Sequence, residues 1–225
     1  IRDRRYANRI ENAEFSVGGA TYKLEANNGP NHLHGCFNRK LYRVKSFGDT
    51  LLMEAESPDG EDGFPGNLKI AVRYTLTEDN AFRMDYRVSS DADTIVNLTN
   101  HSYFNLDGGG DVLNQKLRIY ASRYLEGNNQ CCPTGAILPV ADTPMDFTAG
   151  KLIGREIDTG FAQTTMVGGG YDHCYVIDRA RGSSQSICAW ATSDKTGISM
   201  KLYTTQPGIQ LYTANFLQDL SLIHI

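Results

Sequence analysis

The sequence predicts an all-β protein, a large antiparallel β-sandwich, and three observations carry that reading. Short runs of alternating apolar and polar residues recur along the chain, with Asn, Asp, Gly and Pro between them. Aromatic residues that suit a pleated, half-buried surface are plentiful, with 12 Tyr and 9 Phe in 225 residues. No window carries an apolar stripe of helical period with a cap at both ends.

The segment 51–56 reads as one strand and 68–76 as a second. The segment 81–88 alternates cleanly, with Phe82, Met84, Tyr86 and Val88 on one face and Arg83, Asp85 and Arg87 on the other. The polar residues 77–80 join the last two strands as a hairpin turn. Further strands are predicted at 95–98, 116–121, 175–178, 186–192, 199–204 and 210–213, each bounded by turn-forming residues. With no internal repeat and no Pro/Ser-rich linker, residues 1–219 read as a single domain.

Composition narrows the function classes. Lys plus Arg number 22 against 26 Asp plus Glu, a net charge of −4, and the short Arg2-Asp3-Arg4-Arg5 start is the only basic cluster. That balance lacks the concentrated basic face of a nucleic-acid binder. No window approaches the roughly 20 apolar residues of a membrane-spanning helix. Five cysteines, two of them the adjacent Cys131 and Cys132, read as reduced thiols. Together with the lack of a signal peptide in view, this makes the cytoplasm the expected compartment.

Three histidines sit in unusual neighbourhoods. His34 follows a turn-rich approach, Asn27-Asn28-Gly29-Pro30-Asn31-His32-Leu33. His101 lies in Asn97-Leu98-Thr99-Asn100-His101-Ser102-Tyr103-Phe104, where polar and aromatic residues interleave, and His173 follows Gly168-Gly169-Gly170-Tyr171-Asp172. Each taken alone fits a half-buried imidazole bonded to backbone. With Arg9 and Asp172 they fit a sugar pocket, because hydroxyls are held by bidentate polar side chains and histidine exchanges protons near neutral pH.

Other chemistries fit less well. His32, His34 and Cys36 share a strand-like spacing that could approach a metal, but no fourth ligand or water-activating partner accompanies them, and no metal or other cofactor is expected. The acidic turn 59–63 lacks the ligand spacing of a calcium loop. Neither Gly triplet has the strand-to-helix context of a phosphate cradle, and no serine sits in a nucleophile elbow. Asn97-Leu98-Thr99 and Asn100-His101-Ser102 fit the glycosylation pattern, which is common by chance.

Eight segments, in order along the chain, resemble the aldose 1-epimerase (galactose mutarotase) family. They are 8–10 (Asn-Arg-Ile), 31–35 (Asn-His-Leu-His-Gly), 57–68, 97–106, 133–135, 143–147, 170–173 (Gly-Tyr-Asp-His) and 203–210. The resemblance implies a β-sandwich of the galactose mutarotase-like type that interconverts the α and β anomers of free aldohexoses, glucose or galactose, without a cofactor. By the same resemblance His101 matches the general acid and His34 the second active-site imidazole. Asn8, Arg9, Asp172 and Gln210 match positions that hold sugar hydroxyls, and Tyr103 joins them as an aromatic contact. A hexose-6-phosphate 1-epimerase of the same fold would need a basic cluster, and only Arg9 lies near the motifs. A non-catalytic carbohydrate-binding domain would keep the pocket without the chemistry.

There are three departures from the pattern. The family's catalytic base is a glutamate beyond the segment that matches 213–217, and no Glu of this chain occupies that position, so the chain as it stands is expected to be inactive or nearly so. The family also has strands ahead of the Asn-Arg-Ile motif, and residues 220–225 resemble a translated sequencing adapter; the expectation is a fragment with a non-native tail. Cys36 stands where the family commonly has Gly, adding bulk to a pocket loop.

Overall fold

The computed structural model describes residues 3–217; the expected non-native tail lies outside the described residues. Two compact units divide the chain between Ser102 and Tyr103.

The first unit contains ten strands: β1 (Asp3–Arg4), β2 (Tyr6–Ile10), β3 (Glu14–Val17), β4 (Ala20–Lys23), β5 (His32–His34), β6 (Arg43–Phe47), β7 (Thr50–Ser57), β8 (Leu68–Leu76), β9 (Phe82–Ser90) and β10 (Thr99–Asn100). Strands β6 to β9 form an antiparallel meander in chain order. The period-two pattern explains its inner face, where Met53, Leu68, Ile70 and Val72 are buried against Phe37, with Tyr86 and Val88 packed alongside. Phe82 and Met84 share that face of β9 but are 46% and 36% exposed, because they lie toward the hairpin end, outside the buried cluster. The turn forms as expected, with Thr77 N–H donating to Ala81 C=O and Asn80 at φ 61°.

Residues 95–98, expected as a strand, do not form one. Asn97 makes only an isolated bridge to the start of β2: Asn97 N–H donates to Arg5 C=O, and Ala7 N–H donates to Asn97 C=O. Regular pairing resumes at β10, which meets β1 with Asp3 opposite Asn100 and Arg4 opposite Thr99. Strand β5 pairs with β2 across a bulge between Tyr6 and Arg9, a device that re-aims side chains.

The second unit contains β11 (Lys116–Ile119), β12 (Arg123–Gly127), β13 (Pro133–Pro139), β14 (Lys151–Leu152), a short helix α1 (Ala162–Met166), β15 (Asp172–Val176), β16 (Ser186–Thr192), β17 (Ser199–Thr204) and β18 (Gly208–Tyr212). Two four-stranded antiparallel sheets, ordered β14-β11-β16-β17 and β13-β12-β15-β18, share one apolar core. Leu117, Ile119, Ala189 and Ala191 enter it from one sheet, Tyr124 and Tyr175 from the other, and the fully buried Met145 and Phe147 join from the connecting loop. This is sandwich packing, as predicted. The strand expected at 175–178 sits earlier, at Asp172–Val176. The β12-β13 hairpin escaped the pattern because a bulge between Leu125 and Gly127 breaks its alternation.

Candidate functional site

In the first unit the site is built on the end of β5. His32 and His34 are two residues apart, yet their rings have different neighbours. His32 is fully buried, with Nδ1 2.7 Å from Glu25 C=O and the ring edge-on to Phe64 at 5.4 Å. His34 lies edge-on to His101, with ring centroids 5.1 Å apart at 86°. A three-residue turn achieves the separation: Gly35 N–H donates back to Leu33 C=O at 2.8 Å, with His34 at φ 70° and Gly35 at φ 74°. A side chain at Gly35 would place its Cβ 3.2 Å from Arg5 Cβ, so glycine is required there on both conformational and steric grounds. Among the described residues no group of three His, Cys, Asp or Glu side chains is arranged to hold a metal.

The electrostatics at His34 are distinctive. Burial, then the neighbouring His101 and Arg4, push its pKa down to about 3, against a smaller opposing contribution from the Tyr6 backbone. The imidazole is therefore neutral near pH 7, and its buried Nδ1 has no well-formed hydrogen bond among the described residues. Asn8 and Arg9 lie on β2 beside β5. Arg9 Nε donates to Asn28 Oδ1 at 2.9 Å and a terminal nitrogen donates to Asn8 Oδ1 at 3.0 Å, so the guanidinium is held flat between two amides. Cys36 heads a short 3-10 turn with φ −95°, and burial, then Asp62, raises its thiol pKa to about 12, which makes it a poor nucleophile.

In the second unit a separate polar cluster lies on the face of the β15-β18 pair that points away from the core. Ile209 and Leu211 pack on the core while Gln210 and Tyr212 alternate to the other face. Gln210 Nε2 donates to Asp172 Oδ1 at 2.7 Å, and Tyr212, which pairs with Asp172 in register, approaches the Tyr103 ring at 6.0 Å. Tyr212 was not among the sequence candidates, although its i+2 spacing from Gln210 was the available signal.

His173 does not belong to this cluster. It is 3% exposed on the core face of β15, edge-on to Tyr124, and accepts from Asp172 N–H at Nδ1. Nε2, 3.1 Å from Gln163 Oε1, is left to donate. Gln163 also brackets Gly127 by accepting from its N–H and donating to its C=O, so His173 pins α1 to β12. Burial alone lowers its pKa to about 4. Its role is structural.

The structure thus brings Asn8, Arg9, His34 and His101 into the first unit and Tyr103, Asp172 and Gln210 into the second, with direct contacts linking Asn8 to Arg9, His34 to His101 and Asp172 to Gln210. No helix of the described residues is long and apolar enough to cross a membrane.

An antiparallel all-β scaffold carrying these residues defines a protein of the galactose mutarotase-like class. A family model described as aldose 1-epimerase matches residues 2–224. The aldose 1-epimerase of Haemophilus influenzae is 38% identical over 219 residues, which is 95% of this chain and 63% of the relative. The galactose mutarotase of Sus scrofa is 38% identical over 218 residues, covering 95% of this chain and 61% of that protein. Among solved structures, a GalM/aldose epimerase homologue from C. elegans superposes with a TM-score of 0.87 at 31% identity, covering 96% of this chain and 65% of that one. The chain belongs to the aldose 1-epimerase family, and it spans 61–63% of the length of these two curated relatives.

Proposed function

We propose that the protein is an aldose 1-epimerase that interconverts the α and β anomers of free aldohexoses by opening and reclosing the ring. The observation that carries this reading is the edge-to-face pair of His34 and His101, with His34 neutral and desolvated. His101 is the acid. As a base removes the proton from the anomeric hydroxyl, the C1–O5 bond breaks, its electron pair moves to the ring oxygen, and His101 protonates that oxygen. Rotation about C1–C2 and the reverse transfers close the ring on its other face. Neutral His34 hydrogen-bonds and positions the sugar. Asn8 and Arg9, on β2 beside β5, bind the substrate's hydroxyls, and Tyr103, Asp172 and Gln210 are the further sugar-contacting positions that the family resemblance implies.

The base in this reading is the glutamate that the family resemblance implies after the segment matching 213–217, so the protein to assay is one that carries it. Polarimetry of freshly dissolved α-D-glucose and α-D-galactose should show enzyme-dependent mutarotation by that protein. The 225-residue chain alone should fall short by at least about 100-fold, because the proton transfer loses its base. Normal turnover by the 225-residue chain would overturn the assigned division of labour. Sugar binding without mutarotation by the complete protein would leave a carbohydrate-binding domain.

A further inference from the structure

Asp3 is 1% exposed, although it lies in the charged run Arg2-Asp3-Arg4-Arg5. Its carboxylate gathers donors from three elements: Tyr74 of β8 donates at 2.8–2.9 Å, Tyr86 of β9 at 2.9 Å and Asn100 of β10 at 3.2 Å. Asn100 Nδ2 also donates to Tyr74 Oη at 2.7 Å, while its Oδ1 accepts from Ser102 N–H at 3.0 Å. The Asn100 side chain therefore brackets His101, anchored to the buried network on one side and to the following peptide on the other. Burial, with Asp3 adding to it, raises the pKa of both tyrosines well above the ordinary range, so both remain donors at any working pH.

The backbone ladder alone is a weak anchor for His101. Among the described residues, strand β10 is two residues long and pairs with the two residues of β1. A side-chain network that reaches into the meander supplies the rigidity that this short pair lacks, since fully satisfied buried polar networks fix geometry.

We infer that Asp3 is a positioning residue for His101, acting through Tyr74, Tyr86 and Asn100 to fix where the imidazole meets the substrate. The inference rests on the proposed role of His101 as acid. Misplacing a catalytic group by about 1 Å costs up to roughly 100-fold in rate, and substrate hydroxyl contacts made elsewhere need not change.

The test uses the complete protein and the variants Tyr86→Phe, Asn100→Ala and Asp3→Asn, each checked for folding by circular dichroism and thermal melting. Tyr86→Phe removes one O–H and keeps the ring; it should lower kcat about tenfold with KM within twofold, and it should shift the His101 imidazole resonances in an NMR histidine spectrum. In a His101→Ala background the same substitution should have no further effect on kcat. Folded Tyr86→Phe and Asn100→Ala proteins with wild-type kcat and unmoved His101 resonances would overturn the inference, as would an undiminished tenfold effect in the His101→Ala background. If Asp3→Asn does not fold, the two other variants decide. If His101→Ala itself keeps full activity, the proposed function fails, and the resonances of His101 in Tyr86→Phe still decide whether the network positions that ring.

Discussion

The two units each bury one histidine whose pKa is driven down by desolvation, and they treat it in opposite ways. His173 has both ring nitrogens placed against partners, Asp172 N–H and the Gln163 amide, in an ordinary strand. His34 sits at φ 70° with a buried Nδ1 that has no well-formed partner among the described residues, beside a second imidazole and near two arginines. The contrast extends beyond these residues. Of the buried side-chain polar atoms without a partner among the described residues, Arg5 Nε, His32 Nε2, His34 Nδ1 and Asp62 Oδ2 lie in the first unit, and only Arg179 Nε in the second. In the sandwich, buried tyrosines find acceptors instead: Tyr171 donates to Pro144 C=O and Tyr175 to Met145 C=O. Burial and a low pKa are shared by a structural and a candidate catalytic histidine. Unspent hydrogen-bonding capacity and a backbone held in an uncommon conformation separate them.

The sharpest break of this comparison is in activity. In the complete protein His101→Ala should lower kcat by about 10²- to 10⁴-fold, the range for loss of a general acid. His173→Ala should leave kcat, measured well below the melting temperature, within about threefold, because the ring faces the core. Comparable losses from both substitutions would erase the distinction drawn between the two histidines.

Acid should reveal what the two histidines share. Both are neutral when folded, with pKa values lowered from 6.5 to about 3 for His34 and about 4 for His173. Unfolded, each takes up a proton near its ordinary pKa, so the unfolded state binds more protons between those limits and gains as pH falls. Stability is therefore complete above about pH 6.5 and is lost toward pH 4, at up to roughly 1.4 kcal/mol per pH unit for each ring. Denaturant melts at pH 7 and pH 5 should show this slope in the wild type and a flatter one in the His34→Gln, His173→Gln double variant. Equal slopes would mean that neither ring is neutral in the folded chain.

A neutral-pH measurement then separates them by stability. His173→Ala removes one of the two donors to buried Gln163 Oε1 and leaves a space beside Tyr124, so it should destabilise by about 2–4 kcal/mol. His34→Ala removes a ring from a strained turn that already lacks one hydrogen bond, and should cost less than half as much. Urea melts with unchanged m-values would check the pair.

Much of this was legible before any coordinates. Alternation at 68–76 and 81–88 gave the β8-β9 hairpin because each strand buries a single face, while the exposed β6 (Arg43–Phe47) carried no such signal; the order of the motifs placed His34, His101, Asp172 and Gln210 among the candidates. What alternation could not convey were long-range facts. The bulge between Tyr6 and Arg9 and the isolated bridge of Asn97 depend on which strand lies alongside. Asp3 read only as part of a short charged cluster because its donors come from residues 71 to 97 positions away. His173 looked like His34 because flanking glycine and aspartate report a turn and are silent about which face the strand presents to the core.

The smallest expected effect concerns Cys36, where the family commonly has glycine. The substitution would matter to the His34 turn if the position needed glycine's conformational freedom, but its φ of −95° is open to any residue. The left-handed conformations are borne by His34 and Gly35 just before it. Cys36→Gly should therefore bring no relief of strain. It frees the unfolded chain and removes a side chain packed beside Phe37, so the variant should lose about 0.5–1 kcal/mol in a urea melt while KM for aldohexose stays within twofold. A gain in stability, or a marked fall in KM, would show that the cysteine does distort the loop carrying His34 and that this corner of the first unit tolerates less than its backbone angles indicate.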